Sequence, residues 1–197
     1  MVAENNLHTI RLFDLLAMDG GEKFFESVAN SFVSKNSDVE QFFREKSVQA
    51  TKLNTAATYL VISYEDKKFD LLGYFTLATK MLTLKQSSLS KTECKAISRF
   101  GYFDEDSQSY KLPAVLIAQF SRNFNESSKS ISGDDLMDIA LDKIRDILHS
   151  TSGKAVFLEC EQSEKIVGFY TRHNFQPLGN TVLSKDNKEL TQLYMIL

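Results

Sequence analysis

From Leu112 to Phe120 the chain reads LPAVLIAQF, an almost unbroken apolar run. A strand wetted on one face alternates apolar with polar residues, so an unbroken run predicts a strand covered on both faces. Pro113 is expected at its start, where a missing N–H costs least. A polar loop, Asn125 to Gly133, leads into an amphipathic helix from Asp134 to His149. Leu136, Ala140, Ile144, Ile147 and Leu148 line one face, while Asp135, Asp138, Asp142, Arg145 and Asp146 favour the other. Gly153 precedes a second buried strand, Ala155 to Cys160. Strand, helix, strand at this spacing predicts two parallel strands joined by a right-handed crossover.

The N-terminal half predicts helices and antiparallel strands. Leu7 to Leu16 is a first strand or a leading helical turn, broken at Gly20-Gly21. Glu22 to Ser34 carries Phe24, Phe25, Val28, Ala29 and Phe32 at helical spacing. Ser37-Asp38 is expected to cap a second helix bearing Val39, Phe42, Phe43 and Val48. TYLVISY (Thr58 to Tyr64) and FDLLGYFTLAT (Phe69 to Thr79) predict a hairpin around Glu65 to Lys68. Leu89 to Phe100 predicts a helix ended by Gly101, Asp104 to Tyr110 a loop, and Glu189 to Leu197 a last strand.

Composition narrows the function classes. At 197 residues one domain over 1–197 is expected, with a phenylalanine-rich core from 15 Phe and no Trp. A formal charge of −3 gives no global pull toward nucleic acid. No apolar run spans a bilayer, and MVAENNLHTIRLF lacks the apolar stretch of a signal peptide. The expectation is a cytoplasmic protein with reduced thiols at Cys94 and Cys160. Three histidines and two cysteines without ligand spacing predict no metal site.

The segment VFLECEQSEKIVGFYTRHNF, Val156 to Phe175, carries the most chemical information. It reads as a buried strand, a short turn, an amphipathic helix ending Phe169-Tyr170, and a stop before Phe175. This layout resembles the C-terminal half of the GNAT acetyltransferase fold, where the helix ends F/L-Y-x-x-x-G-F. Asn174 stands in place of the glycine and is the next-best residue for a left-handed helix stop. The resemblance implies an α/β (α+β) fold, a mixed and mostly antiparallel central sheet with splayed parallel fourth and fifth strands flanked by helices. It also implies acetyl-CoA as cosubstrate and Tyr170 as the catalytic acid. A phenol is protonated at neutral pH and can donate to a departing thiolate. A buried tyrosine tied to a structural partner is the competing reading.

The same resemblance assigns the pyrophosphate to the loop Ser128, Lys129, Ser130, Ile131, Ser132, Gly133 and the helix start at Asp134, because free N–H groups and the helix dipole favour anions. Gly133 and Leu136 match the end of the family's Q/R-x-x-G-x-G/A pattern. Ser128 and Ile131 depart from it, and Asp134 and Asp135 add negative charge. Ser132-Gly133-Asp134-Asp135 also fits an ordinary capping box, and the two readings coexist. Phe120, Ser121 and Arg122 correspond to the strand edge whose backbone pairs with pantetheine. Ser163 stands where the family often has an Asn on the pantetheine arm. Glu159 or Glu161 is a candidate to lead a water to the amine; a solvated carboxylate is the alternative.

FFREKSVQA, TYLVISY, LLGYFTLATKML and LPAVLIAQFSRNF, in this order, resemble the GNAT toxins of bacterial toxin–antitoxin modules. That resemblance, over roughly Ser37 to Phe175, implies acetyl transfer to the amino group of aminoacyl-tRNA, with an antitoxin and a homodimer among the partners and no membrane. Lys80, Lys85, Lys91, Lys95 and Arg99 form a candidate basic stripe for tRNA, or a solvated face. Met81 to Lys111 is long for a connection and suggests an insertion shaping the acceptor site. The alternatives are a protein or small-molecule amine as acceptor, or a non-catalytic interaction protein of the same fold.

Overall fold

A computed structural model describes residues 7–65, 68–126, 130–183 and 187–197, the side chain of residue 180 excepted. Two compact units share the chain. The first takes residues up to Ala78 together with Ala118–Leu141, the second Thr79–Ile117 with Asp142–Leu197.

The first unit opens with β1 (Leu7–Arg11) and α1 (Leu12–Leu16), so the two readings of this stretch are both realised in sequence. Gly20, in the left-handed region at φ 71°, then starts α2 (Gly21–Ser31). A longer helix follows as α3 (Ser37–Gln41), a π-helical turn (Phe42–Lys46) and α4 (Ser47–Lys52). Its cap is Asn36, whose side chain accepts from the Asp38 and Val39 amides, and not the expected Ser37-Asp38. β2 (Ala57–Glu65) pairs antiparallel with both β1 and β3 (Lys68–Lys85).

Aromatic rings fill this unit's core. Phe43 packs 4.3 Å from Tyr74, 4.8 Å from Phe32 and 5.2 Å from Phe25, centroid to centroid. Leu12 and Leu60 complete the cluster. Tilted and edge-to-face contacts of this kind add to the area that they bury. At Gly73 β3 passes close to the end of β5 (Ser109–Arg122): a Cβ added there would meet the Ser121 carbonyl oxygen at 2.8 Å and the Arg122 Cα at 3.1 Å.

The second unit carries the rest of β3 and most of β5, with α5 (Lys91–Ile97), β4 (Tyr102–Asp104), β6 (Ala155–Glu161), α7 (Glu164–Arg172), β7 (Gln176–Leu183) and β8 (Glu189–Ile196). Its strands run β3-β5-β6-β8-β7, with β4 beside the start of β5. β5 and β6 are parallel, from Ala114–Ala155 to Ile117–Leu158, joined through α6 (Gly133–Thr151) as expected. β6 with β8 and β7 with β8 are antiparallel. Leu82, Leu84, Ile97, Tyr110, Leu112, Phe157, Leu178 and Tyr194 form its core.

Four boundaries differ from the sequence reading. β3 runs on to Lys85, because Leu82 and Leu84 alternate with exposed Met81, Thr83 and Lys85 and bury the same face. β5 begins at Ser109, so Pro113 lies inside the strand; it falls between the last β4 pair at Lys111 and the first β6 pair at Ala114. The expected loop from Asp104 is a tight β4–β5 turn, in which Asp104 accepts from the Asp106 and Ser107 amides. β7 was not expected at all.

Candidate active site

At the end of β5 the first unit ties three segments together. Asn123 is nearly fully buried. Its Oδ1 accepts from the Val33 amide at 3.1 Å and the Asn125 amide at 3.0 Å, and its Nδ2 donates to the Leu71 carbonyl at 2.9 Å. Its own amide donates to the Leu72 carbonyl at 2.7 Å. A buried amide so fully used is a rigid joint. One residue earlier, the Ser121 hydroxyl donates to the Arg122 carbonyl at 2.8 Å, which leaves Ser34 to donate to it across 2.9 Å. Arg122 Nη1 donates to the Ile131 carbonyl at 2.9 Å, and its guanidinium lies 4.8 Å from the Phe124 ring centroid.

The candidate phosphate loop is therefore joined to β5 by a side chain. Lys129 lies outside the described residues, as does Ser128. Ser130 is exposed, Ile131 buried, Ser132 exposed, Gly133 half-buried and Asp134 exposed. Ser132 caps α6: its Oγ accepts from the Asp135 amide at 3.0 Å and donates to the Asp135 carboxylate at 2.6 Å. The capping reading is thus present. It engages both the Asp135 amide and the Asp135 carboxylate on one hydroxyl, at the start of a 19-residue helix whose dipole favours an anion. Phe120 and Arg122 are half-buried and Ser121 buried, so the β5 stretch would offer backbone rather than an open side-chain surface.

In the second unit, Ser163 is the N-cap residue of α7, extended at φ −100° and ψ 127°, with no side-chain capping bond. Tyr170 is half-buried in the last turn. Its ring meets Phe169 edge-on at 5.1 Å and Phe175 at 6.0 Å. Burial pushes its phenol above the ordinary tyrosine value, and the neighbouring Cys160 adds to this. Burial and then Glu161 push the Cys160 thiol up to about 11, so both groups are protonated at neutral pH. The helix stop is as expected: Asn174 is left-handed at φ 66°, and Phe175 beyond it is fully buried. Glu159 and Glu161 are exposed, and Glu159 accepts from Gln192 at 2.8 Å, in keeping with a solvated carboxylate.

Sequence reading missed Asn123 as the joint of β5 and Cys160 as the neighbour of Tyr170. An asparagine after a strand and a cysteine within one carry no signal of either role. The five cations of the candidate stripe, Lys80, Lys85, Lys91, Lys95 and Arg99, are all exposed, and none makes an ion pair among the described residues. Among the described residues no group of three His, Cys, Asp or Glu side chains gathers as a metal site, and no helix is long and apolar enough to cross a membrane.

The architecture is the GNAT acetyltransferase fold, in the form found in the GNAT toxins of toxin–antitoxin modules. The solved structure of AtaT complexed with acetyl-methionyl-tRNAfMet matches 97% of this chain and 95% of its own at a TM-score of 0.66 and 16% identity. A tyrosine-to-phenylalanine mutant of KacT matches over the same shares at 0.65 and 19%. A mutant AtaT bound to the C-terminus of the antitoxin AtaR and acetyl-CoA matches 97% and 93% at 0.59 and 12%. No family model and no curated protein sequence matches the chain.

Proposed function

We propose that the chain is an acetyl-CoA-dependent N-acetyltransferase whose acceptor is a primary amine, with aminoacyl-tRNA the leading acceptor. The observation that carries this reading is Tyr170, a protonated, half-buried phenol in the last turn of α7 within a fold shared with acetyl-CoA-bound and tRNA-bound toxins. Tyrosine-to-phenylalanine mutants of both AtaT and KacT have been solved, which directs attention to a tyrosine in such a fold.

Bound acetyl-CoA would supply the acetyl group as a thioester: the C–N bond to the amine forms, the C–S bond breaks, and the surplus proton on nitrogen passes to solvent. In this reading Tyr170 Oη holds the proton that the leaving sulfur takes. Ser130, Ile131, Ser132, Gly133 and Asp134 hold the pyrophosphate through backbone N–H groups and the α6 dipole. Ser163 lies along the pantetheine arm, and the backbone of Phe120, Ser121 and Arg122 pairs with it. In support, β5 continues to Arg122 although its last register pair with β6 is at Ile117.

The charge distribution supports an anionic acceptor. From Thr79 to Arg99, Lys80, Lys85, Lys91, Lys95 and Arg99 face a single acid, Glu93, in a chain whose net charge is −3. Glu93 is held by the Ser90 cap and by Tyr194. An exposed cationic surface of this kind suits phosphate contacts. As partners, an antitoxin and a second copy of the chain belong to the same proposal.

The Ser132–Asp135 cap favours a second reading, a partner-binding protein of this fold without acetyl-CoA. Calorimetry with acetyl-CoA separates the two. Micromolar binding, followed by acetylation of charged tRNA seen by mass spectrometry, is the expected result. No heat up to millimolar ligand would sink the enzyme reading. Loss of tRNA acetylation in a Lys80→Ala, Lys85→Ala, Lys91→Ala variant, with acetyl-CoA binding kept, would assign the acceptor surface.

A further inference from the structure

We propose that Arg122 is a positioning residue for the start of α6: resting on the Phe124 ring and bonded to the Ile131 carbonyl, its guanidinium fixes the position of Ser132 and of the first helical turn that it caps. The inference rests on reading the start of α6 as the site that holds acetyl-CoA phosphates.

The guanidinium is committed to geometry. One nitrogen donates to a main-chain carbonyl at 2.9 Å, two residues before α6 begins. Its carbon lies 4.8 Å from the Phe124 ring centroid, and Lys35 Nζ stands at the same distance from that ring. Phe124 is fixed in turn, because its amide donates to the Val33 carbonyl at 2.8 Å. Below Arg122 the strand end lies close to β3 and is anchored. A Gly73 Cβ would lie 3.1 Å from the Arg122 Cα, and Asn123 anchors the next residue to Val33, Leu71 and Leu72. The side chain thus reaches from a rigid strand end to the carbonyl preceding Ser132, the residue that caps α6.

A charge-assisted hydrogen bond removed at such a place loosens the loop without unfolding the strand. Arg122→Met is expected to leave the thermal midpoint of the ligand-free protein near native and to raise exchange of the Asp135 and Leu136 amides, which donate to Ser132. Acetyl-CoA should bind about tenfold more weakly. S-acetyl-pantetheine, which has no pyrophosphate and in this reading meets only the Arg122 backbone, should lose clearly less affinity than acetyl-CoA. Arg122→Lys, which can still donate to the carbonyl, should restore most of both properties.

Weaker acetyl-CoA binding with unchanged amide exchange would mean that Arg122 acts on the ligand by charge, and the positioning role falls. Equal losses for both ligands would place the effect on the strand, with the same consequence. A native protein that binds neither ligand removes the reading of the site itself. A native protein that binds, matched by Arg122→Met, removes only the role of Arg122.

Discussion

The Tyr74 hydroxyl donates to the Val39 carbonyl at 2.6 Å, bolting the middle of β3 to α3 through the ring cluster of the first unit. Burial raises this phenol well above its usual value, so the donor is protonated at neutral pH. Tyr74→Phe removes the donor and leaves the Val39 carbonyl with only its bond from the Phe42 amide. The expected loss is about 1–2 kcal/mol in denaturant unfolding. An unchanged midpoint would show that water replaces the phenol.

At Gly73 an added methyl group meets backbone rather than a flexible side chain. Gly73→Ala should cost roughly 1–3 kcal/mol by overpacking. Because the collision is with Ser121 and Arg122, acetyl-CoA binding should weaken in the same variant. A stable Gly73→Ala protein with native affinity would contradict the close approach of β3 and β5.

Tyr170→Phe keeps the ring contacts to Phe169 and Phe175 and deletes only the hydroxyl. Under the proposed chemistry kcat should fall by about 10²–10⁴, with KM for acetyl-CoA little changed. The raised phenol also fixes a sign. The protonated form is the active one, so no alkaline loss of kcat due to this residue is expected below the ordinary tyrosine value of about 10. Full turnover in the variant would reassign the proton donor.

Asn174 occupies a conformation that glycine adopts without cost. Asn174→Gly should hold or raise stability, and Asn174→Val should lose about 1 kcal/mol or more. Thermal unfolding distinguishes this from a side-chain role for Asn174, in which both variants would lose.

Asp104 titrates at about 2, chiefly because the Lys111 ammonium hydrogen-bonds its carboxylate, with Ser107 assisting. Its folded value lies below its unfolded one, so its stabilising effect is complete above the ordinary carboxylate value of about 4 and fades as pH falls toward 2. In Lys111→Met the carboxyl shift followed by NMR should move up toward the ordinary value. A midpoint that stays at about 2 would exclude Lys111 as the cause.

Legibility in the sequence followed pattern strength. The β5–α6–β6 crossover and the Asn174 stop were readable, because long apolar runs and a left-handed stop leave local marks. β7 was not: Pro177 and Gly179 are residue types that weaken a strand pattern, and the strand contains an irregular register between Pro177 and Thr181 with Gly179 at φ 76°. The far end of β3 was hidden because Leu82 and Leu84 are covered by residues distant in sequence, such as Tyr110 and Tyr194. At the site, the candidate residue types were visible from motif order. The work of Asn123 was not, since its partners Val33 and Leu71 meet it only in the folded chain.

β3, β5 and α6 each begin in one compact unit and end in the other. A ribosome that has delivered the chain as far as Ala78 has therefore supplied only a fragment of the first unit, which must wait for Ala118–Leu141 to close. The second unit waits longer still, for the β8 strand and the bond from the Leu197 amide to the Lys154 carbonyl. The order of synthesis thus lets the first unit close once Leu141 has emerged, while the segment Thr79–Ile117, already made, stays unfinished until its C-terminal strands arrive.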